Sequence, residues 1–343
     1  MNEAVYIHGA KDVRIGRYDR NDTVADPVAV DVAAVGLCGS DLHYFKDGAI
    51  GAATIAKPFV PGHEFSARLL ADDEALGLTK GTLVAVDPAS ACGACEWCHQ
   101  GHPNLCPKVV FTGAPPYDGA MRRQMGVARD RIIPVPDTLS ALDAAMLEPL
   151  GVCIHAMDLA RPRLGETVGV LGCGPIGLGI IQLLANSGAG RILAIDPAAY
   201  RSAHGPRNGA HEAGLTVSDI LDMTDGRGCD LIIEATNAPD GFADAVRATR
   251  IGGRVVLVGI PDGDIYTLPA AESRRRGLTI RFSRRMGETY PRAIALTVAG
   301  KVDHGAMVSH EVALEETPDA FARQADLADG ALKTVIYPNG TDN

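Results

Sequence analysis

Positive charge is in short supply in this sequence: 32 Lys and Arg stand against 42 Asp and Glu, for a formal net charge of -10. That balance disfavours a phosphate backbone as partner. The longest basic run, Arg274 to Arg276, reads as a solvated surface or a subunit contact, so nucleic acid is excluded. An unbroken apolar start is also missing. MNEAVYIHGAKDVRI carries charge at Glu3, Lys11, Asp12 and Arg14 where a secretory leader would be apolar, so the cytoplasm is the expected compartment. One charge-free stretch, Thr167 to Gly190, is long enough to span a bilayer. Its many glycines, with Pro175, fit a strand, a tight turn and a buried helix instead, and no membrane partner is expected. Cysteine is too sparse for a disulfide scaffold, with eight unevenly spaced in 343 residues. No internal repeat or low-complexity tract is visible.

What is present suffices for a substantial core: 46% hydrophobic and 22% charged residues over this length predict two domains. Before about residue 150, short apolar runs such as VAVDVAAV and TLVAVDP are broken by Gly and Pro and read as strands of a β-rich domain. From Thr167 the rhythm changes. TVGVL, RILAI, DLIIE and RVVLV are continuous apolar strands of the kind buried on both faces, and PIGLGIIQLLANS and GFADAVRATR are helix-like segments between them. That alternation predicts a parallel sheet built from βαβ units. After Thr279 a helix at YPRAIALTVAG and a strand at ALKTVIY are expected, the strand returning to the first domain. The predicted fold class is therefore α/β, with a discontinuous β-rich catalytic domain (residues 1–149 and 286–343) and an inserted doubly wound nucleotide-binding domain (residues 150–285).

VLGCGPIG places Gly172, Gly174 and Gly177 in a GxGxxG pattern between a strand and an apolar helix that opens at Pro175. Each glycine has a task there: a tight turn, close approach of backbone to a pyrophosphate, and tight contact between helix and sheet. Asp196 ends the next strand nineteen residues after Gly177, where a carboxylate could accept hydrogen bonds from an adenosine ribose and repel a 2′-phosphate. This favours NAD over NADP. An Asp-Pro pair also commonly just starts a turn, and Arg201 lies over the adenine or is merely solvated.

CGACEWCHQGHPNLC puts thiols at Cys92, Cys95, Cys98 and Cys106, a spacing that closes a tetrahedral site for zinc with no open position. An iron–sulfur cluster could use four thiolates as well, but no other redox feature accompanies it. A second set is dispersed: Cys38 in GLCGSDLHY, His63 and Glu64 in PGHEF, and Glu148 in LEPLG. One thiolate, one imidazole and one carboxylate hold zinc while leaving a position for substrate oxygen, although spacing alone equally allows a buried cysteine and a satisfied core histidine.

GLCGSDLHY, PGHEF, the four-cysteine loop, FTGAPPYDG, LEPLGVCIHA, VLGCGPIGLG and RRMGETYP together resemble the zinc-dependent medium-chain alcohol dehydrogenases, and within them the sorbitol (polyol) dehydrogenase branch, over nearly the whole chain. The resemblance implies a GroES-like catalytic domain with an inserted Rossmann domain, one catalytic and one structural zinc per chain, and NAD. It implies Cys38, His63 and Glu64 as catalytic-zinc ligands, with Glu148 either exchanging with Glu64 or contacting substrate or water. Tyr44, Phe111 and Arg285 match substrate-side positions, and Ser40 and His43 match the route of the departing hydroxyl proton. Ile176, Asp196, Arg201, Val258, Gly259, Ile260, Ser283 and Arg284 match positions lining NAD. The implied reaction is oxidation of a secondary hydroxyl to a ketone, with hydride passing to the nicotinamide, in a homodimer or homotetramer.

Two departures qualify this. Sorbitol dehydrogenases usually carry Phe-Arg-Tyr where this chain has Arg284, Arg285 and Met286, so a substrate-side tyrosine is missing and a cation has been added. A guanidinium pairs well with carboxylate, which makes a sugar acid such as L-idonate an expected substrate beside neutral polyols; otherwise Arg284 faces cofactor phosphate or solvent. The Gly/Pro-rich stretch after Asp196 replaces a longer helix. Alternatives are a zinc dehydrogenase for L-threonine or a simple alcohol, or a non-catalytic protein that keeps the fold, zinc and NAD.

Overall fold

The computed structural model describes residues 2–19, 24 and 26–341. The chain folds as two units, one running through Glu148 and resuming at Val308, the other Pro149–Met307.

The first unit is built on a seven-stranded sheet. Val28–Gly36 is its centre because its residues are buried along nearly the whole length, Val30, Val32 and Val35 completely. It pairs antiparallel with Glu64–Leu69, Gln124–Val127 and Thr334–Tyr337. Leu83–Val86 and Ile132–Pro134 extend one side, and His310–Ala313, parallel to Thr334–Tyr337, extends the other. The strand expected at ALKTVIY thus returns to the first unit. The hairpin Glu3–Gly9 with Asp12–Arg17 adds Val5 and Ile7 to a core that includes Phe59, Phe65, Met121 and Phe321. Helix Gly39–Asp47 starts at Cys38, where the N-cap N–H donates to the side chain of Asp41, and ends at Gly48 in the left-handed region (φ 70°).

The second unit holds a six-stranded parallel sheet in the spatial order Glu212–Gly214, Arg191–Ile195, Thr167–Leu171, Cys229–Glu234, Thr249–Leu257, Thr279–Phe282. The order reverses between Thr167–Leu171 and Cys229–Glu234, and open α/β sheets bind ligands beyond the carboxyl ends of the strands at that point. Val168, Val170, Leu193, Leu231 and Ile233 have no exposed surface, as strands covered on both faces require. Helices Pro175–Ala185 and Gly241–Ala248 occupy the two helix-like segments, and Tyr290–Val298 the third. After Asp196 the chain forms two single-turn helices, Ala199–Ser202 and His204–Arg207.

The first crossing at Glu148/Pro149 lies one residue from its expected place, within helix Ala141–Ala160. The second differs: residues 286–307, expected in the β-rich domain, pack with the nucleotide-type unit. Side chains explain this. Met286 is buried over Gly151, where any Cβ would overlap its sulfur, and accepts a hydrogen bond from the Thr289 hydroxyl at 3.3 Å. Arg292 forks onto Asp158 at 2.8 and 2.6 Å, and the Gln182 amide bonds both the N–H and the carbonyl of Asp303. A periodic pattern on its own does not reveal such anchors.

Candidate active site

In the first unit, the end of the central strand, the start of helix Gly39–Asp47 and the start of Glu64–Leu69 meet, because strand register sets Gly36 opposite Glu64. Ligand atoms of Cys38, His63 and Glu64 lie within 4.8 Å of one another. Tetrahedral zinc with bonds of about 2.0–2.3 Å needs donors roughly 3–4 Å apart, so thiol, imidazole and carboxylate fit that ion. His63 Nδ1 is buried without a hydrogen-bond partner among the described residues, 3.9 Å from Asp41 Oδ1, and the ring lies 5.2 Å from that of Phe111. Burial, then the charge of Glu64, pushes the Cys38 thiol well above its ordinary value, and the Ser40 hydroxyl bonded to it pulls the other way. Metal binding there must therefore displace a proton. Glu148 is buried near the triad but does not belong to the set within 4.8 Å. Burial pushes its carboxyl up to about 7, His63 opposing the shift and Glu64 adding to it.

Two further groups join this cluster, and sequence reasoning missed both. Asp41 has no exposed surface; its oxygens accept from Cys38 N–H at 3.0 Å and Gly62 N–H at 3.3 Å. Lys333 is 2% exposed, and its ammonium pairs with Glu64 Oε2. Burial alone would lower the lysine, but the charges of Glu64 and Cys38 and the bond to Glu64 hold it above its ordinary value. The available signals were a carboxylate three residues after Cys38 in a capping box and a charge inside the apolar run ALKTVIY.

The remaining expected residues of this unit are more peripheral. Tyr44 is buried in the core, its ring edge-on to Phe59 at 5.3 Å. His43 is buried, with Nδ1 3.8 Å from Asp47 Oδ2.

The four-cysteine loop closes as its spacing predicts. Sulfurs of Cys92, Cys95, Cys98 and Cys106 lie within 4.8 Å of one another, with Cys95 and Cys98 3.4 Å apart. A tetrahedral zinc with sulfur at about 2.3 Å needs sulfur pairs about 3.8 Å apart, so four thiolates fit the ion. The Ala94 N–H, then Cys106, lower Cys92 to about 6, whereas burial and Cys95 raise Cys98 to about 11.

In the second unit, the three glycines meet different steric surroundings. Gly172 adopts φ 94°, and a side chain would crowd the Ala235 carbonyl at 2.6 Å. Gly174 caps the helix that starts at Pro175, and an Arg201 guanidinium nitrogen lies 3.8 Å from where a Cβ would stand. A Cβ on Gly177 would overlap the Gly172 carbonyl oxygen. Asp196 is buried, and its oxygens accept from Cys173 N–H and Ala198 N–H, both at 2.9 Å, so the carboxylate ties the glycine turn to the end of the neighbouring strand. The Ile176 carbonyl accepts from the Cys153 thiol at 3.4 Å.

Val258, Gly259 and Ile260 follow Thr249–Leu257, with the first two N–H groups donating to the Glu234 carbonyl. Ser283, Arg284 and Arg285 follow Thr279–Phe282, with Arg285 at φ 53° and Arg284 exposed. These segments leave from the carboxyl ends of neighbouring strands.

Known proteins share this architecture. Residues 25–137 match the family model "Alcohol dehydrogenase GroES-like domain" and residues 175–299 match "Zinc-binding dehydrogenase". The chain is 34% identical to sorbitol dehydrogenase of Bacillus subtilis (strain 168), over 98% of this chain and 97% of that protein. It is 32% identical to L-arabinitol 4-dehydrogenase of Hypocrea jecorina, over 90% and 84%. Among solved structures, L-idonate 5-dehydrogenase from Escherichia coli superposes with a TM-score of 0.87 at 26% identity over 98% of both chains. 2R,3R-butanediol dehydrogenase from Bacillus subtilis does so at 0.84 and 26%, over 99% and 100%. The chain belongs to the zinc-binding, medium-chain alcohol dehydrogenase family, with a GroES-like domain and a Rossmann-type nucleotide-binding domain.

Proposed function

We propose that the protein oxidises a secondary hydroxyl of a small polyol or sugar acid to a ketone, using NAD. The observation that carries this reading is the meeting of Cys38, His63 and Glu64 donors in a chain that matches a sorbitol dehydrogenase over nearly the full length of both. Cys38, His63 and Glu64 would hold zinc, which would supply Lewis acidity to a hydroxyl, and bound NAD would serve as the hydride acceptor. The chain's own residues do the rest. Ser40, whose hydroxyl bonds the Cys38 sulfur, and His43, beside Asp47, carry the released proton outward. Glu148 contacts the substrate or its water, or takes turns with Glu64 as the third ligand. Phe111 forms an apolar wall beside His63.

The helix start at Gly174 and Pro175 receives the pyrophosphate, Asp196 meets the adenosine ribose and Arg201 lies over the adenine. Ile176, Val258, Gly259, Ile260 and Ser283 line the rest of the dinucleotide. Tyr44 and Arg285 orient the substrate's other hydroxyls, and Arg284 selects a carboxylate. Cys92, Cys95, Cys98 and Cys106 hold a structural zinc that stiffens their loop. The segments before Pro149 and after Met307 hold metal, and the segment between them in sequence holds NAD. A homodimer or homotetramer in the cytoplasm completes it.

The test is a panel of sorbitol, xylitol, L-arabinitol, L-idonate, 2,3-butanediol and L-threonine with NAD or NADP, followed at the nicotinamide absorbance before and after chelation. Turnover of a polyol or hexonate that chelation abolishes and zinc restores is expected. Absence of zinc-dependent turnover with every secondary alcohol would sink the proposal. Sedimentation of the same preparation reads the oligomeric state.

A further inference from the structure

Gly36 ends the central strand of the first unit directly opposite Glu64. Its backbone is not in the left-handed region, so conformation does not call for glycine there. Space does: a Cβ on Gly36 would overlap Glu64 Oε2 and approach Lys333 Cε to 2.9 Å. The room so left is filled by the Lys333–Glu64 ion pair, whose side chains are each 2% exposed. A buried pair of this kind is costly to desolvate and stabilises little compared with apolar filling of the same volume. Fold stability therefore does not account for three residues shaped around it.

We propose that Lys333 is a positioning residue for the metal ligand Glu64, engaging Oε2 so that the carboxylate offers the metal a single oxygen. The inference rests on the proposed metal site and decides its third ligand. A carboxylate anchored by one oxygen acts as a monodentate donor beside Cys38 and His63. Glu148 is then left outside the donor set, and the fourth position stays open for the substrate oxygen, as catalytic zinc requires. Gly36 is the steric half of the device, because any side chain there would drive ammonium and carboxylate apart. Hydrogen-bond partners of metal ligands commonly act in this way, by fixing ligand orientation.

The experiment uses the full-length protein with cobalt exchanged into the Cys38 site. It reads two quantities: metal affinity in competition with a chelator, and the visible cobalt spectrum, which reports ligand number and geometry. K333M and G36A are expected to weaken metal binding at this site about 10- to 100-fold and to alter the spectrum, with partial recovery in K333R and the metal at the four-cysteine site retained. K333Q replaces K333M should the latter not fold. Affinity within twofold of the parent protein together with an unchanged spectrum overturns the inference, even if thermal stability falls. So does a spectrum that responds to Glu148→Gln but not to K333M. If C38S retains the full metal content, the metal-site reading itself fails, and this inference fails with it.

Discussion

Asp41 shows how much of the site depends on groups that no ligand search would select. With no exposed surface, it holds the N–H of Cys38 and the N–H of Gly62, the residue before His63. Asp41→Ala removes both acceptors, and leaving buried N–H groups unpaired costs about 1–3 kcal/mol. Calorimetry should show that loss, and metal analysis should show zinc at the Cys38 site held about 10- to 100-fold more weakly. Cysteines outside the metal sets should behave oppositely to reactive ones. Burial, with Asp196 and Asp230 respectively adding, pushes Cys173 and Cys229 up to about 12, and it is the thiolate that reacts. Iodoacetamide at neutral pH should leave both unmodified in the native protein and modify them after denaturation, as read by mass spectrometry. For Arg284, replacement by Ala should lower kcat/KM for a hexonate by about tenfold or more and for a neutral polyol much less, if it pairs with a carboxylate. Equal losses would assign it to the cofactor or to solvent.

At the level of elements, the turn from strand Thr167–Leu171 into helix Pro175–Ala185 is the most constrained connection. Because a Cβ on Gly177 would overlap the Gly172 carbonyl, Gly177→Ala must force helix and strand apart, an overpacking cost of about 1–3 kcal/mol. NADH titration should show affinity about 10- to 100-fold weaker, while zinc content stays unchanged. Strand Cys229–Glu234 carries a different constraint. Asp230 binds Arg227 at 2.7 Å, Arg250 at 2.5 Å and the Thr167 N–H at 3.0 Å. Burial alone would raise its carboxyl, but these partners hold it well below the usual carboxylate range. A carboxylate lowered on folding contributes stability in full above its unfolded value of about 3.9, and that contribution is lost as pH falls through the folded value. Asp230→Asn should therefore cost about 1–2 kcal/mol at neutral pH, discounted for the exposure of both arginines, and the difference from the parent should shrink in acid. Urea unfolding at neutral and acid pH measures it.

Across the whole molecule, the proposed metals serve different ends. Zinc held by the four cysteines would have no position left for substrate, whereas zinc held by Cys38, His63 and Glu64 would keep one. C38S should lose one zinc per chain and all turnover with a small change in unfolding temperature. C98S should lose the other zinc and unfold earlier, since a structural zinc contributes directly to folding. No helix among the described residues is long and apolar enough to cross a membrane, which agrees with reading Thr167 to Gly190 as strand, turn and helix.

The sequence by itself determined the features whose partners lie close along the chain. Cys92 to Cys106 close within one short loop, Gly177 meets the Gly172 carbonyl within one turn, and the apolar strands of the parallel sheet declare burial on both faces. Resemblance extended that reading to Cys38, His63 and Glu64, which spacing left open. Tertiary structure decided the rest, because its determinants are pairings across long separations. Strand register sets Gly36 against Glu64, the C-terminal return brings Lys333 to Glu64 from 269 residues away, and Met286 seated on Gly151 moves the second domain crossing to Met307/Val308. A hydrophobic pattern records which face a residue buries. It does not record which distant residue fills the space beside it.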